Sequence, residues 1–145
     1  MPMSKLYERL GIGGATAIQF TTAATAASSP AIDMANIDRA LAILSVGAIT
    51  ATLSIALQAA TSTVASDFAA FSTPVQATGI TAPNSVQEIE LLAITMPAGK
   101  RYLRALVTAT TISSTNVAPV GLVVLTESGV QPATNASGTA TVVSA

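Results

Sequence analysis

Residues 41–60 read LAILSVGAITATLSIALQAA, and either a membrane helix or a pair of strands could be drawn from them. The stretch carries no charge and is long enough to cross a bilayer as a helix, for which about 20 apolar residues suffice. Its periodicity points elsewhere. Leu53, Ile55 and Leu57 alternate with Thr52, Ser54, Ala56 and Gln58, the period of a half-buried strand, whereas an amphipathic helix repeats roughly every 3.6 residues. Ser45, Gly47, Thr50 and Gln58 interrupt the run further, and no basic cluster flanks it to set a membrane orientation. The stretch therefore reads as two strands, RALAILSV (Arg39–Val46) and ATLSIALQAA (residues 51–60), joined as a β-hairpin through a glycine-containing loop at residues 47–50. A membrane partner is not expected.

Working outward, the same texture continues. DFAAFSTPV (67–75) offers Phe68 and Phe71 before Pro74, a short edge strand or a loop pinned by two aromatic rings. VQEIELLAIT (86–95) places Glu88 and Glu90 on one face and Ile89 and Leu91 on the other, and Pro97 and Gly99 then mark a turn. YLRALVTAT (102–110) and VAPVGLVVLT (117–126) are two further strands, the last with Pro119 and Gly121 suggesting a bulge or a sheet edge. Short strands with no helical period between them predict an all-β domain over residues 38–127, an antiparallel β-sandwich or jelly roll. Leu53, Ile55, Leu57, Leu91, Leu103 and Val123 are its expected core.

The flanks differ. MPMSKLYERL (1–10) is expected to form one or two helical turns with Leu6 and Leu10 on one face, and GIGGATAIQFTTAATAASSP (11–30) holds only Ile12, Ile18 and Phe20 as sizeable apolar side chains. Such a tract cannot build its own core. Residues 1–37 are thus expected to be an N-terminal arm laid along a neighbouring subunit, its ordering entropy offset by contacts made there, with packing on its own domain as the alternative. SGVQPATNASGTATVVSA (128–145) repeats the composition and is expected to be a second, C-terminal arm.

Composition sets the functional bounds. Ala, Thr and Ser fill 29, 20 and 14 of the 145 positions, while Val, Ile, Leu and Phe together supply 38. Charged residues make up 9%, against about 25% in ordinary soluble domains. With so few strongly hydrated side chains, much of the surface is expected to be covered by other protein. No cysteine and no histidine are present, which removes thiolate chemistry, the usual zinc ligands and the commonest general base. A formal net charge of −1 leaves no footprint for nucleic acid.

The remaining candidates for chemistry are weak. Glu88 and Glu90 are the closest paired carboxylates, but as i, i+2 neighbours on one strand they lie side by side on an open face and do not flank a bond. Lys100, Arg101 and Arg104, just past the Pro97–Gly99 turn, are their expected cross-strand partners and would gather five charges in one patch. The glycines at 11, 13 and 14 lack the lysine and spacing of a phosphate loop, Asp33 and Asp38 match no calcium loop, and Asn135 begins a formal glycosylation sequon. Lys5, Glu8 and Arg9 precede a tract too polar for a signal h-region. No enzyme, metal, cofactor or small-molecule substrate is expected.

Taken together, LAILSVGAITATLSIALQAA, VQEIEL (86–91), GKRYLRALVT (99–108) and GLVVL (121–125) resemble the small decoration, or cement, proteins of tailed-bacteriophage heads. The resemblance spans residues 39–126, about 60% of the chain. It implies a jelly-roll or β-sandwich module on the outer surface of a capsid, made in the host cytoplasm, whose partners are the major capsid protein and further copies of itself as a trimer or dimer. Two departures stand out: residues 61–82 hold one charge, Asp67, where the family often carries a longer acidic loop, and the Ala/Thr tract is unusually long. On this reading Leu6, Tyr7, Leu10, Ile18, Phe20, Glu88, Glu90, Lys100, Arg101 and Arg104 are the interface candidates. The runner-up is a tail-fibre or surface module that binds a receptor or glycan, and a membrane-associated subunit is third.

Overall fold

The structure is a computed structural model that describes residues 10–20, 25–112 and 118–127. Its strands, in chain order, are β1 (Leu10–Phe20), β2 (Ala26–Ser28), β3 (Ile32–Asp33), β4 (Arg39–Val46), β5 (Thr52–Ala60), β6 (Ala69–Ala70), β7 (Gln76–Ile80), β8 (Ser85–Leu92), β9 (Tyr102–Thr110) and β10 (Ala118–Glu127). Two single-turn 3-10 helices, Ala65–Asp67 and Ala93–Thr95, are the only helices among the described residues. Every strand pairing is antiparallel, in two sheets. The first runs β1-β10-β4-β8; the second has β9 and β5 at its centre, with β2 and β3 along the outer side of β9 and β6 and β7 along that of β5. The chain is an antiparallel β-sandwich, as its alternation predicts.

The inner faces make one core. Ala40, Ala42, Leu44 and Val46 of β4, Leu53, Ile55 and Leu57 of β5, Leu103, Ala105 and Val107 of β9, and Leu122 and Val124 of β10 are all buried. Each such Leu, Ile or Val contributes roughly 1.5–3 kcal/mol relative to exposure. Five of the six expected core residues are there. Val123 is not: it stands half-buried on the opposite face. In GLVVL the apolar residues occupy both parities of the strand, so alternation alone did not choose between Val123 and its neighbours.

The expected hairpin does not form. β4 pairs with β10 and β8, and β5 with β9, β6 and β7, so residues 47–51 carry the chain across from one sheet to the other. Ile49 and Ala51 within that connection are buried. A solvent-facing hairpin loop would expose an isoleucine, whereas a corner between two sheets tucks it into the end of the core.

The N-terminal tract also departs from expectation. Residues 10–20 form β1, paired along its length with β10, and residues 26–33 supply β2 and β3 on β9. The tract packs on its own domain. Phe20 is buried at 1% exposure and Ile32 at 3%. Backbone pairing, which needs no large side chains, holds what the small residues could not. Gly13 sits at a register shift between Ile12 and Gly14, where an added Cβ would lie 3.0 Å from both the Ile32 and Thr126 side chains. Ser29 anchors the break between β2 and β3: its backbone N–H donates to Ala105 O (2.9 Å), and its Oγ accepts from Ala105 N–H (3.0 Å). Pro30, which has no N–H to offer a ladder, follows at once.

β10 is a central strand, where Pro119 and Gly121 suggest a bulge or a sheet edge. Pairing with β4 begins only at Val120, so Pro119 has a partner strand on one side alone, opposite Gln19 of β1. The expected helical turn over residues 1–9, with Leu6 and Tyr7, and the expected arm over residues 128–145 lie outside the described residues.

Candidate functional site

The two outer faces of the sandwich differ in chemistry, and register says how. Across the first sheet, Ile12, Leu125, Leu41 and Glu90 form one row and Ala15, Val123, Ile43 and Glu88 the next; Ala17, Gly121, Ser45 and Val86 form a third. Glu127, Arg39 and Leu92 close the end. The middle of this face is therefore aliphatic, with carboxylates along the β8 side. Val86 and Leu92 on this face are large apolar residues left exposed, at 56% and 45%. Across the second sheet the outward rows are Thr52 and Thr110, Ser54 and Thr108, Ala56 and Leu106, and Gln58 and Arg104. That face is mainly hydroxyl and amide.

At the end of the apolar face, the Arg39 guanidinium lies between two carboxylates: Nε is 3.2 Å from Glu90 Oε1 and 3.5 Å from Glu127 Oε2. Arg39 and Glu90 stand on adjacent strands, offset by two residues in register. Both are about half-exposed, so solvent screening keeps the pair weak, at most about 1 kcal/mol. Between them and Leu41, Leu125 and Thr126 lies a groove of about 210 Å³.

The expected charge patch is not assembled. Glu88 and Glu90 belong to the first sheet and Arg104 to the second, because the 3-10 turn Ala93–Thr95 and the turn at 97–100 take the chain across between β8 and β9. In that turn Lys100 N–H donates to Pro97 O (3.0 Å), and Gly99 takes φ +76°, the third-position geometry of a type II turn, which only glycine adopts without strain. Arg101 pairs instead with Asp33, Nε donating to Oδ1 (2.8 Å) and Nη2 to Oδ2 (2.5 Å). The Arg101 guanidinium holds the Asp33 carboxyl below the usual carboxylate range; partial burial opposes this, and the Ala35 N–H on Oδ1 assists it. Arg104 Nε donates to Gln58 Oε1 (2.8 Å), and its guanidinium lies 4.4 Å from the centre of the Phe68 ring. Burial lowers the Arg104 pKa. Both arginines are thus committed within the domain.

Of the other interface candidates, Leu10 and Ile18 lie on β1 opposite Glu127 and Val120, and Phe20 is a core residue. Glu88 and Glu90 border the apolar face. Arg39, Glu127, Leu41, Ile43 and Leu125 also belong to this face and are not among the candidates that the sequence offers. The signal was present in LAILSV, which is apolar on both parities and so has a second side to cover.

A second concavity, about 640 Å³, opens at the flank between β8 and the segment after β6, lined by Phe71, Ser72, Thr73, Val75, Glu90 and Thr95 among others. Among the described residues no three Asp or Glu side chains converge as metal ligands, and no helix is long and apolar enough to cross a membrane.

No family model and no curated protein matches the chain. Two solved structures are similar to it in part. One comes from the endospore appendages of Bacillus, a family of disulfide-linked pili, with 13% identity and a TM-score of 0.40 over 87% of this chain and 96% of that one. The other is a family two carbohydrate esterase from Cellvibrio japonicus, with 14% identity and a TM-score of 0.39 over 87% of this chain and 33% of that one. Neither protein's role passes to this chain.

Proposed function

We propose that this chain is a structural virion protein that binds the outer surface of a phage capsid and stabilises the shell by bridging neighbouring capsomers. The observation that carries the reading is the outer face of the first sheet, where Leu41, Ile43, Val123 and Leu125 lie together on the solvent side of a domain with only 9% charged residues. An apolar face rimmed by charge suits a permanent protein contact. Repeated over a symmetric lattice, many such contacts of modest strength add up by avidity. The winding of the chain between the sheets supports a jelly-roll reading, an architecture shared by capsid and lectin domains; the face, more than the fold, carries the argument.

The test is binding to purified phage heads that naturally carry the chain, stripped of it and then re-incubated. The double variant Val86→Lys/Leu92→Lys changes two exposed side chains of the apolar face and should bind at least about tenfold more weakly. Gln58→Lys, on the outer face of the second sheet, should bind like the parent. Equal binding by all three would refute the reading.

The groove beside Phe71 favours a second reading, a receptor- or glycan-binding module of a tail fibre or virion surface. Its volume falls within the range of ligand sites, and its wall combines Ser72, Thr73, Thr95 and Glu90 with Phe71, Leu91 and Leu92. Saturable binding of a soluble oligosaccharide, abolished by Thr73→Trp in the groove wall, would support it over the first.

A further inference from the structure

The edge strand of a sheet leaves every second backbone N–H and C=O unpaired, and those groups are best satisfied by another extended strand. Among the described residues this sandwich has four edges, and three are blunted. In the second sheet both edges are broken, β2 from β3 around Pro30 and β6 from β7 around Pro74, and no piece exceeds five residues. In the first sheet, the β8 edge carries Glu88 and Glu90. β1 is different: eleven residues, LGIGGATAIQF, with no charge and no proline.

The first half of β1 is approached by its own chain, with Ile32 against Gly13 and Pro30 against Gly14. From residue 15 to residue 20, ATAIQF, no strand pairs with its outer side among the described residues. We propose that residues 15–20 of β1 are a self-association edge, pairing antiparallel with the same segment of a second copy about a two-fold axis. Two first sheets, four strands each, would then join as one.

Charge and symmetry select a second copy as the occupant. A two-fold antiparallel pair sets each strand against itself, so any charge on it meets its own kind. The β1 segment has none. The same pairing through β8 would bring Glu88 and Glu90 against the partner's carboxylates. Ala15 and Ala17, on the outward parity of the segment, are small enough to leave the approach open, and the Ala15 row continues into Val123 and Ile43. The apolar outer face of one copy would thus run into that of the next, doubling the surface offered to a third protein. The contact between copies does not depend on the capsid reading.

Two measurements on the full chain test it. Light-scattering mass followed over dilution should show a dimer, and Ala17→Lys, at an exposed position, should weaken the dimer by roughly tenfold or more while leaving the far-ultraviolet dichroism unchanged. Because the chain has no cysteine, the single variants Ala17→Cys and Val86→Cys each report one edge: a short bis-maleimide should link chains of the Ala17→Cys variant to one another and leave chains of the Val86→Cys variant single. A parent chain that stays monomeric, a dimer indifferent to Ala17→Lys, or crosslinks through position 86 alone or between positions 17 and 86 in a mixed sample would overturn the proposal. Should Ala17→Lys fail to fold, the crosslinking result decides.

Discussion

Phe20 shows how one side chain separates an arm from a strand. In a tract of alanine and threonine it could grip a neighbouring subunit or fill its own core, and the structure buries it almost fully beneath β10 pairing. Phe20→Ala should therefore lower unfolding stability by about 3–5 kcal/mol, measured by denaturant titration of the isolated protein; a loss under about 1 kcal/mol would return the residue to an external partner. Asp33 makes a second residue-level prediction. Its carboxyl is held below the usual range by Arg101, so its contribution is in place above the unfolded value, near 3.9, and fades as pH falls through its lower native value. Stability against pH between roughly 5 and 2 should be flatter for Asp33→Asn than for the parent, and an unchanged slope would show that the exposed pair contributes nothing. The sequence offered both residues but neither partnership, because Asp33 and Arg101 lie 68 positions apart and meet only through the pairing of β3 with β9.

At the scale of elements, the strands β4, β5, β8, β9 and β10 were legible because each carries enough Val, Ile and Leu at alternate positions to show a period. β1 was not, since glycine, alanine and threonine give no hydrophobic rhythm and the strand is held by its ladder to β10. β7, QATGI, was missed for the same reason. Pairing was less legible than existence: two apolar strands separated by five residues fit a hairpin and a sheet-to-sheet corner equally, and only the burial of Ile49 tells them apart. The candidate face followed suit, for its rows come from β1, β10, β4 and β8, which are distant in sequence. Among these elements β8 is an edge that carries Glu88 and Glu90, and charge on an edge opposes the addition of a further strand. Glu88→Val should leave the fold intact and raise light scattering on concentration, since it removes a charge from an edge that already exposes Val86 and Leu92; a variant as soluble as the parent would remove Glu88 from that role.

For the whole molecule, the scarcity of charge acquires a direction. It is not spread evenly: the outer face of the second sheet is clothed in threonine, serine and glutamine, while that of the first is aliphatic with an ionic margin. Composition leads to the expectation that some surface is covered, and the strand register sets the aliphatic outer face of the first sheet apart as the one proposed for that contact. The proposed function requires that the first sheet, and not the second, face the partner. An electron cryomicroscopy reconstruction of phage heads bearing the chain tests this most directly. The expected result is density for copies tiled over the icosahedral shell, with Leu41, Ile43, Val123 and Leu125 against the capsid. Copies seated by the Thr52 and Thr108 face, or density confined to a tail tip, would contradict it.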